Sequence, residues 1–136
     1  MAQYVMQHIV SKAGLTSQFE IDSAATSNEE IGNLPHRGTQ RVLTAHGIPC
    51  GDHRARRLTR ADAQRWDYIV CMDRANVRST THFLGAGAQG KISRLMEYTG
   101  SVDDVADPWY TGDFDTCYND VLAGCEGLLR HITADK

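Results

Sequence analysis

The chain reads as an α/β domain in which helices cover a parallel sheet. Three observations predict this. Helical and extended patterns alternate along the sequence. The run Tyr68-Ile-Val-Cys-Met72 is continuously apolar, as expected for a strand buried on both faces of a parallel sheet. A long amphipathic helix closes the chain, with an apolar stripe that must pack against something.

The elements follow in order. Met1, Val5, Ile9 and Ala13 recur at helical spacing, with Met6 and Val10 beside them, and Gly14 supplies a stop. Phe19 to Thr26 alternates like a strand. Pro35 to Gly47 predicts a second helix with Val42, Leu43 and His46 on its face and Gly47 at its end. His53 to Thr59 is a short extended piece. Thr59 followed by Asp62 is a helix-start pattern, with Thr59 as the cap. After the Tyr68–Met72 strand, Asp73 ends the run and Arg74 to Leu84 turns helical. Gly85 to Gly90 is a flexible loop, and Lys91 to Met96 is another strand.

The final helix carries Tyr118, Val121, Leu122, Cys125, Leu128, Leu129 and Ile132 on one stripe. Asp113 and Asp115 lie near its start, Arg130 and His131 near its end, as the helix dipole favours. The order therefore begins with a helix, whereas an α/β chain of this kind usually opens with a strand.

Composition excludes several classes. A length of 136 residues suits one domain, 1–136, able to bury a hydrophobic core. A net charge of −3 gives no reason to expect nucleic acid or an anionic membrane as partner. No apolar run approaches a membrane span. Residues 1–15 lack the basic start and apolar core of a signal peptide. Cys50, Cys71, Cys117 and Cys125 have neither zinc-ligand nor disulfide-scaffold spacing, so free thiols in a reducing cytoplasm are expected and no metal is implied.

Six segments carry a family resemblance: Phe19-Glu-Ile-Asp-Ser-Ala-Ala-Thr-Ser27, Ile31-Gly-Asn33, His46-Gly-Ile48, Ala55-Arg-Arg-Leu-Thr59, Asp67-Tyr-Ile-Val-Cys-Met-Asp73 with Asn76, and Asp107-Pro-Trp-Tyr110. Each is weak alone. In this order and at these separations they make the chain similar to the low molecular weight protein tyrosine phosphatases over essentially its whole length. The resemblance implies a four-stranded parallel sheet in a three-layer α/β fold, and phosphomonoester hydrolysis through a cysteinyl-phosphate intermediate without cofactor. The implied substrate is a phosphotyrosine protein or a small aryl phosphate.

The resemblance also implies roles. Asp107 matches the general acid that protonates the leaving phenolate. Trp109 and Tyr110 match aromatics lining the slot for the phosphotyrosine ring. Ser23 and His53 match a hydrogen-bonding pair that buttresses the phosphate loop. Asp22 and Asp73 match acidic positions at the ends of neighbouring strands, where open α/β sheets place their sites. Asp73 is equally readable as a helix cap. The run Arg54, Arg56, Arg57 reads as a solvated face.

Two departures matter. Glu29 stands at the slot's rim, where family members often place an aromatic, and Leu34 replaces one of two successive prolines. More seriously, the family's catalytic loop, Cys, five residues, Arg, Ser/Thr, precedes the helix that begins here at Met1, and these residues hold no counterpart. Cys50 to Arg56 has the Cys-x5-Arg spacing, but Arg57 follows where Ser/Thr is required. No nucleophile is assigned, and the chain as written is expected to be inactive. The first central strand would also be missing, so a rearranged sheet, or elements exchanged in a homo-oligomer, is expected. A non-catalytic interaction domain is the alternative. An arsenate reductase relative ranks last, because such enzymes need a closely spaced cysteine relay.

Overall fold

A computed structural model describes residues 1–25, 36–51, 56–106, 108 and 112–134. The first helix, α1, spans Ala2–Lys12 and buries Tyr4, Val5, Met6 and Val10. Gly14 ends it at φ +73°. The Leu15 amide donates to the Val10 carbonyl and the Gly14 amide to Ser11, both at 3.0 Å. This paired arrangement satisfies the last carbonyls and needs the left-handed residue that glycine supplies. Helix α2, Arg37–Ala45, ends in the same way: Gly47 sits at φ +70°, and the Ile48 amide reaches the Leu43 carbonyl at 2.9 Å.

Helix α3 is a single turn, Asp62–Arg65. Strand β1, Ile69–Cys71, leads into α4, Arg74–Leu84, and a short 3-10 turn at Gly85–Ala88 precedes strand β2, Ile92–Arg94. The strands are parallel, pairing Ile69 with Ile92, Val70 with Ser93 and Cys71 with Arg94. A tight turn, Leu95–Thr99, follows, and α5 spans Phe114–Ala134.

Alternation along the strands builds the three layers. Val70 and Met72 pack with the larger apolar cluster, formed by α1, α2, α5 and the 95–96 turn. Ile69 and Ile92 pack with the smaller cluster of Ala63, Leu84 and Ala88 under α3 and α4. Helix α5 lies close on the 95–99 turn because two of its residues lack side chains. A Cβ on Gly124 would lie 2.4 Å from Leu95 Cγ, and one on Gly127 would lie 2.2 Å from the Tyr98 carbonyl oxygen.

Three expectations need correction. The strand expected over 19–26 forms no regular ladder among the described residues. Residues 21–24 run irregularly to one parallel bridge, Ala25 with Arg57, where the Ala25 amide donates to the Arg56 carbonyl at 2.7 Å. Strand β1 is not buried on both faces: Ile69 and Val70 are half-buried and Tyr68 is 36% exposed. Its edge away from β2 carries no ladder among the described residues, so less covers it than the apolar run implied. Gly85–Gly90 is largely a hydrogen-bonded turn rather than a free loop.

Candidate active site

The carboxyl end of β1 is where an open parallel sheet places chemistry. Asp73 stands there as the cap of α4, its Oδ1 accepting the Asn76 amide at 2.7 Å. The segment 101–106 folds across the same end. The Val105 amide donates to the Met72 carbonyl at 3.0 Å, and Asp104 Oδ1 accepts the Arg74 amide at 3.2 Å. Arg94 Nη1 donates to the Asp103 carbonyl at 3.0 Å and pairs with Asp104 at 3.6 Å. Arg74 also donates to the Val102 carbonyl.

These contacts lead straight to the expected acid loop. The Ala106 amide, one residue before Asp107, donates to Asp120 Oδ2 on α5 at 3.0 Å. On the far side, the Gly112 amide donates to the Pro108 carbonyl at 2.7 Å. Asp113 then caps α5, accepting the Thr116 amide at 2.9 Å and its hydroxyl at 2.6 Å. Those bonds, the side-chain one foremost, hold the Asp113 carboxyl below its ordinary value. Asp107 is thus bracketed by anchored backbone. Asp107, Trp109, Tyr110, Glu29 and His53 themselves lie outside the described residues.

Asp22 and Ser23 precede the bridge at Ala25. Ser23 Oγ donates to Gln3 Oε1 at 2.6 Å, and Gln7 Nε2 donates to the Ile21 carbonyl at 3.4 Å, so α1 moors this segment. Asp22 Oδ2 accepts Arg56 Nε at 2.9 Å. Arg56 also meets Asp62 through both terminal nitrogens, each at 3.2 Å. Asp62, 3% exposed, further accepts the Thr59 amide at 2.7 Å, the Thr59 hydroxyl at 3.1 Å and Trp66 Nε1 at 2.8 Å. Burial works to raise its pKa, but the hydrogen bonds from Arg56, Thr59 and Trp66 overcome that and hold it well below the usual carboxylate range.

Arg56 is therefore held between two carboxylates, which corrects the reading for that residue; Arg57 is exposed, as read, and Arg54 lies outside the described residues. The expected Thr59–Asp62 pair forms in part: the Asp62 carboxylate reaches back to the Thr59 amide, while α3 itself begins at Asp62 rather than just after Thr59. The sequence signal for both was the Thr59–Asp62 spacing, which marked a local pair but not the third partner from residue 56. Asp120, Arg94 and Asp104 were missed as well. Asp120 carried no signal that set it apart from Asp115 and Glu126 on the same helix.

The thiols are mostly inaccessible. Cys71, Cys117 and Cys125 are buried and Cys50 is half-buried. Burial pushes the Cys125 thiol up to about 12 and raises that of Cys71, so neither is a ready thiolate. The Cys50-x5-Arg56 spacing fails as a phosphate loop for a further reason: two carboxylates already occupy Arg56. No group of three or more His, Cys, Asp or Glu arranged to hold a metal occurs among the described residues, and no described helix is long and apolar enough to cross a membrane.

The geometry defines a three-layer α/β domain whose candidate site lies at the carboxyl end of a parallel sheet, beside the start of a long closing helix. Comparison with known proteins narrows this. The family model for low molecular weight phosphotyrosine protein phosphatases matches residues 1–136, and the chain belongs to that family. It is 36% identical to the low molecular weight protein-tyrosine-phosphatase YfkJ of Bacillus subtilis, over all of this chain and 88% of that protein. Against the crystal structure of YfkJ the TM-score is 0.94, covering 99% of this chain and 86% of that one. It is 35% identical to the low molecular weight phosphotyrosine protein phosphatase of Pongo abelii, over 96% of this chain and 85% of that protein.

Proposed function

We propose that this domain serves hydrolysis of phosphotyrosine in proteins, with Asp107 as general acid and a nucleophile that none of its four cysteines provides. In this reaction a thiolate attacks phosphorus and the P–O bond to the phenolate breaks. Asp107 gives its proton to the departing oxygen, and water then cleaves the S–P bond to release phosphate and regenerate the thiolate. Trp109 and Tyr110 flank the aryl ring, and Glu29 stands at the rim. Ser23 and His53 support the phosphate loop from behind, with Asp22 and Asp73 at the strand ends. The four thiols suit the reducing cytoplasm, and residues 1–136 act as one domain.

The observation that carries this reading is the bracketing of Asp107. Val105 is tied to Met72, Ala106 to Asp120, and Asp113 caps the helix that follows. A proton donor needs anchored neighbours of the kind Val105, Ala106 and Asp113 provide, and an ordinary surface turn does not. The reading also accounts for the cysteines, since three are buried and the arginine six positions after Cys50, Arg56, is held by two carboxylates.

A second reading has its own observation. The Ile69 amide donates to the Lys91 carbonyl, just before β2, at 3.0 Å, so parallel alternation turns the Val70 amide and carbonyl to the other edge, where no described strand pairs. A partner strand from a second copy would fit there, making the domain a non-catalytic homo-oligomer.

One experiment separates the two. A protein carrying a Cys-x5-Arg-Ser/Thr loop ahead of Met1 should turn over para-nitrophenyl phosphate, and Asp107→Asn in it should cut kcat by about 10²–10⁴-fold. A loop-bearing protein that folds but shows no turnover would favour the interaction domain, and full activity in the Asp107→Asn variant would remove the acid assignment.

A further inference from the structure

Strand β2 has β1 on one side and no described strand on the other. The backbone of Ile92 faces that open side. Ile69 pairs with Ile92, and the Ile69 amide bonds the Lys91 carbonyl. Parallel alternation then gives residues 91 and 93 to β1 and turns the amide and carbonyl of Ile92 outward. Neither meets a partner among the described residues. The next outward amide, that of Arg94, is already taken by Glu97 Oε1 at 2.9 Å. The open edge is therefore short: one donor and one acceptor, both from Ile92.

A groove of about 440 Å³ runs beside it, lined by Val77 and Thr81 of α4, the 85–90 turn and Ile92. That volume falls within the roughly 300–1,000 Å³ of ordinary ligand sites. No β1 residue lines the groove, so it lies on the outer side of Ile92, next to the open backbone pair. Its walls are mostly apolar, and the side chains of Thr81 and Gln89 supply polar groups.

Charge marks the same face. Residues 74–94 include Arg74, Arg78, Lys91 and Arg94 and no carboxylate, in a chain of net charge −3. Arg74 and Lys91 donate to the carbonyls of Val102 and Ala63, which leaves their charge uncancelled. Arg78, next to Val77, is exposed and has no partner among the described residues. Arg94 pairs with Asp104 at 3.6 Å.

An outward N–H and C=O on a strand edge match the backbone of another strand, whose alternate side chains share one face. We propose that the outer edge of β2 and its groove form a docking site for an extended, acidic segment of a partner protein. The segment's backbone bonds Ile92, one apolar side chain enters the groove, and neighbouring carboxylates meet Arg78 and the cations around it. This edge is not the β1 edge considered above, and the site does not rest on the phosphatase reading.

The test is a random peptide library displayed on phage and selected on the whole 136-residue chain, then amide exchange and NMR with the strongest peptide recovered. Selected peptides should carry Asp or Glu beside alternating apolar residues. Saturating peptide should raise protection of the Ile92 amide on the order of tenfold. Thr81→Trp, which fills the groove, should abolish measurable binding, and Arg78→Glu should weaken it about fivefold. Added salt should weaken binding to the unmodified chain. Should Thr81→Trp fail to fold, Arg78→Glu and the Ile92 amide decide the matter. Selection without acidic peptides, an Ile92 amide unmoved at saturation, or binding indifferent to the substitutions overturns the proposal. A free chain that sediments as a dimer with Ile92 already protected also overturns it, because a second copy then holds the edge.

Discussion

At the scale of single residues, Asp62 and Arg56 carry the most weight outside the candidate site. A carboxylate at 3% exposure is tolerable only because Arg56, Thr59 and Trp66 supply donors to both its oxygens. Arg56 in turn is held by Asp22, so one guanidinium joins the 56–58 segment, the turn before α3, and the chain that carries Ser23. Removing the charge at Asp62 leaves Arg56 without its bidentate partner. Asp62→Asn should therefore cost about 2 kcal/mol at neutral pH, read from urea unfolding. The pH dependence has a definite sign. The folded carboxyl binds its proton less readily than the unfolded one, so its stabilisation is complete above the ordinary carboxylate value of about 4 and is lost as acid is added below it. The variant should flatten that acid limb, and an unchanged midpoint with an unchanged acid limb would contradict the network.

At the scale of elements, the closing helix owes its position to missing side chains. Gly124 and Gly127 let α5 settle onto the 95–99 turn, which follows β2 directly. The turn is fixed at its start by the Arg94 amide donating to Glu97 Oε1 at 2.9 Å. A methyl at Gly127 would meet the Tyr98 carbonyl, a backbone atom that cannot swing aside. Gly127→Ala should destabilise by about 2–3 kcal/mol, as overpacking does, although alanine is the better helix former. An unchanged or raised melting temperature would show that the helix and turn are not in such close contact.

The elements also show how far sequence reading reaches. Helices α1, α4 and α5 were legible because their signals are local: an apolar stripe at helical period, Gly14 ending one, Asp73 capping another, Asp113 opening the third. The segment 19–26 misled, because alternation can state which face is apolar but not whether a ladder partner lies alongside. Arg56 misled for the same reason. Its partners are Asp22 and Asp62, one of them 34 residues away, and a basic run looks the same whether it faces water or a buried carboxylate. Asp107-Pro-Trp-Tyr110 pointed to a candidate site, but the contacts beside it at Asp120, Arg94 and Asp104 emerge only when β2, α5 and the 101–106 segment are brought together.

At the scale of the molecule, the domain is a scaffold that brings the 101–106 segment and the start of α5 together at the carboxyl end of a parallel sheet. Its own thiols are packed into the core or left without a phosphate-binding arginine. The central claim is that none of these four cysteines is the nucleophile. The most direct measurement is rapid-quench intact-mass analysis of the 136-residue chain mixed with an excess of an aryl phosphate. The account predicts no phosphoryl adduct on Cys50, Cys71, Cys117 or Cys125 and no burst of phenolate. A stoichiometric adduct on Cys50, lost in Cys50→Ser, would contradict it.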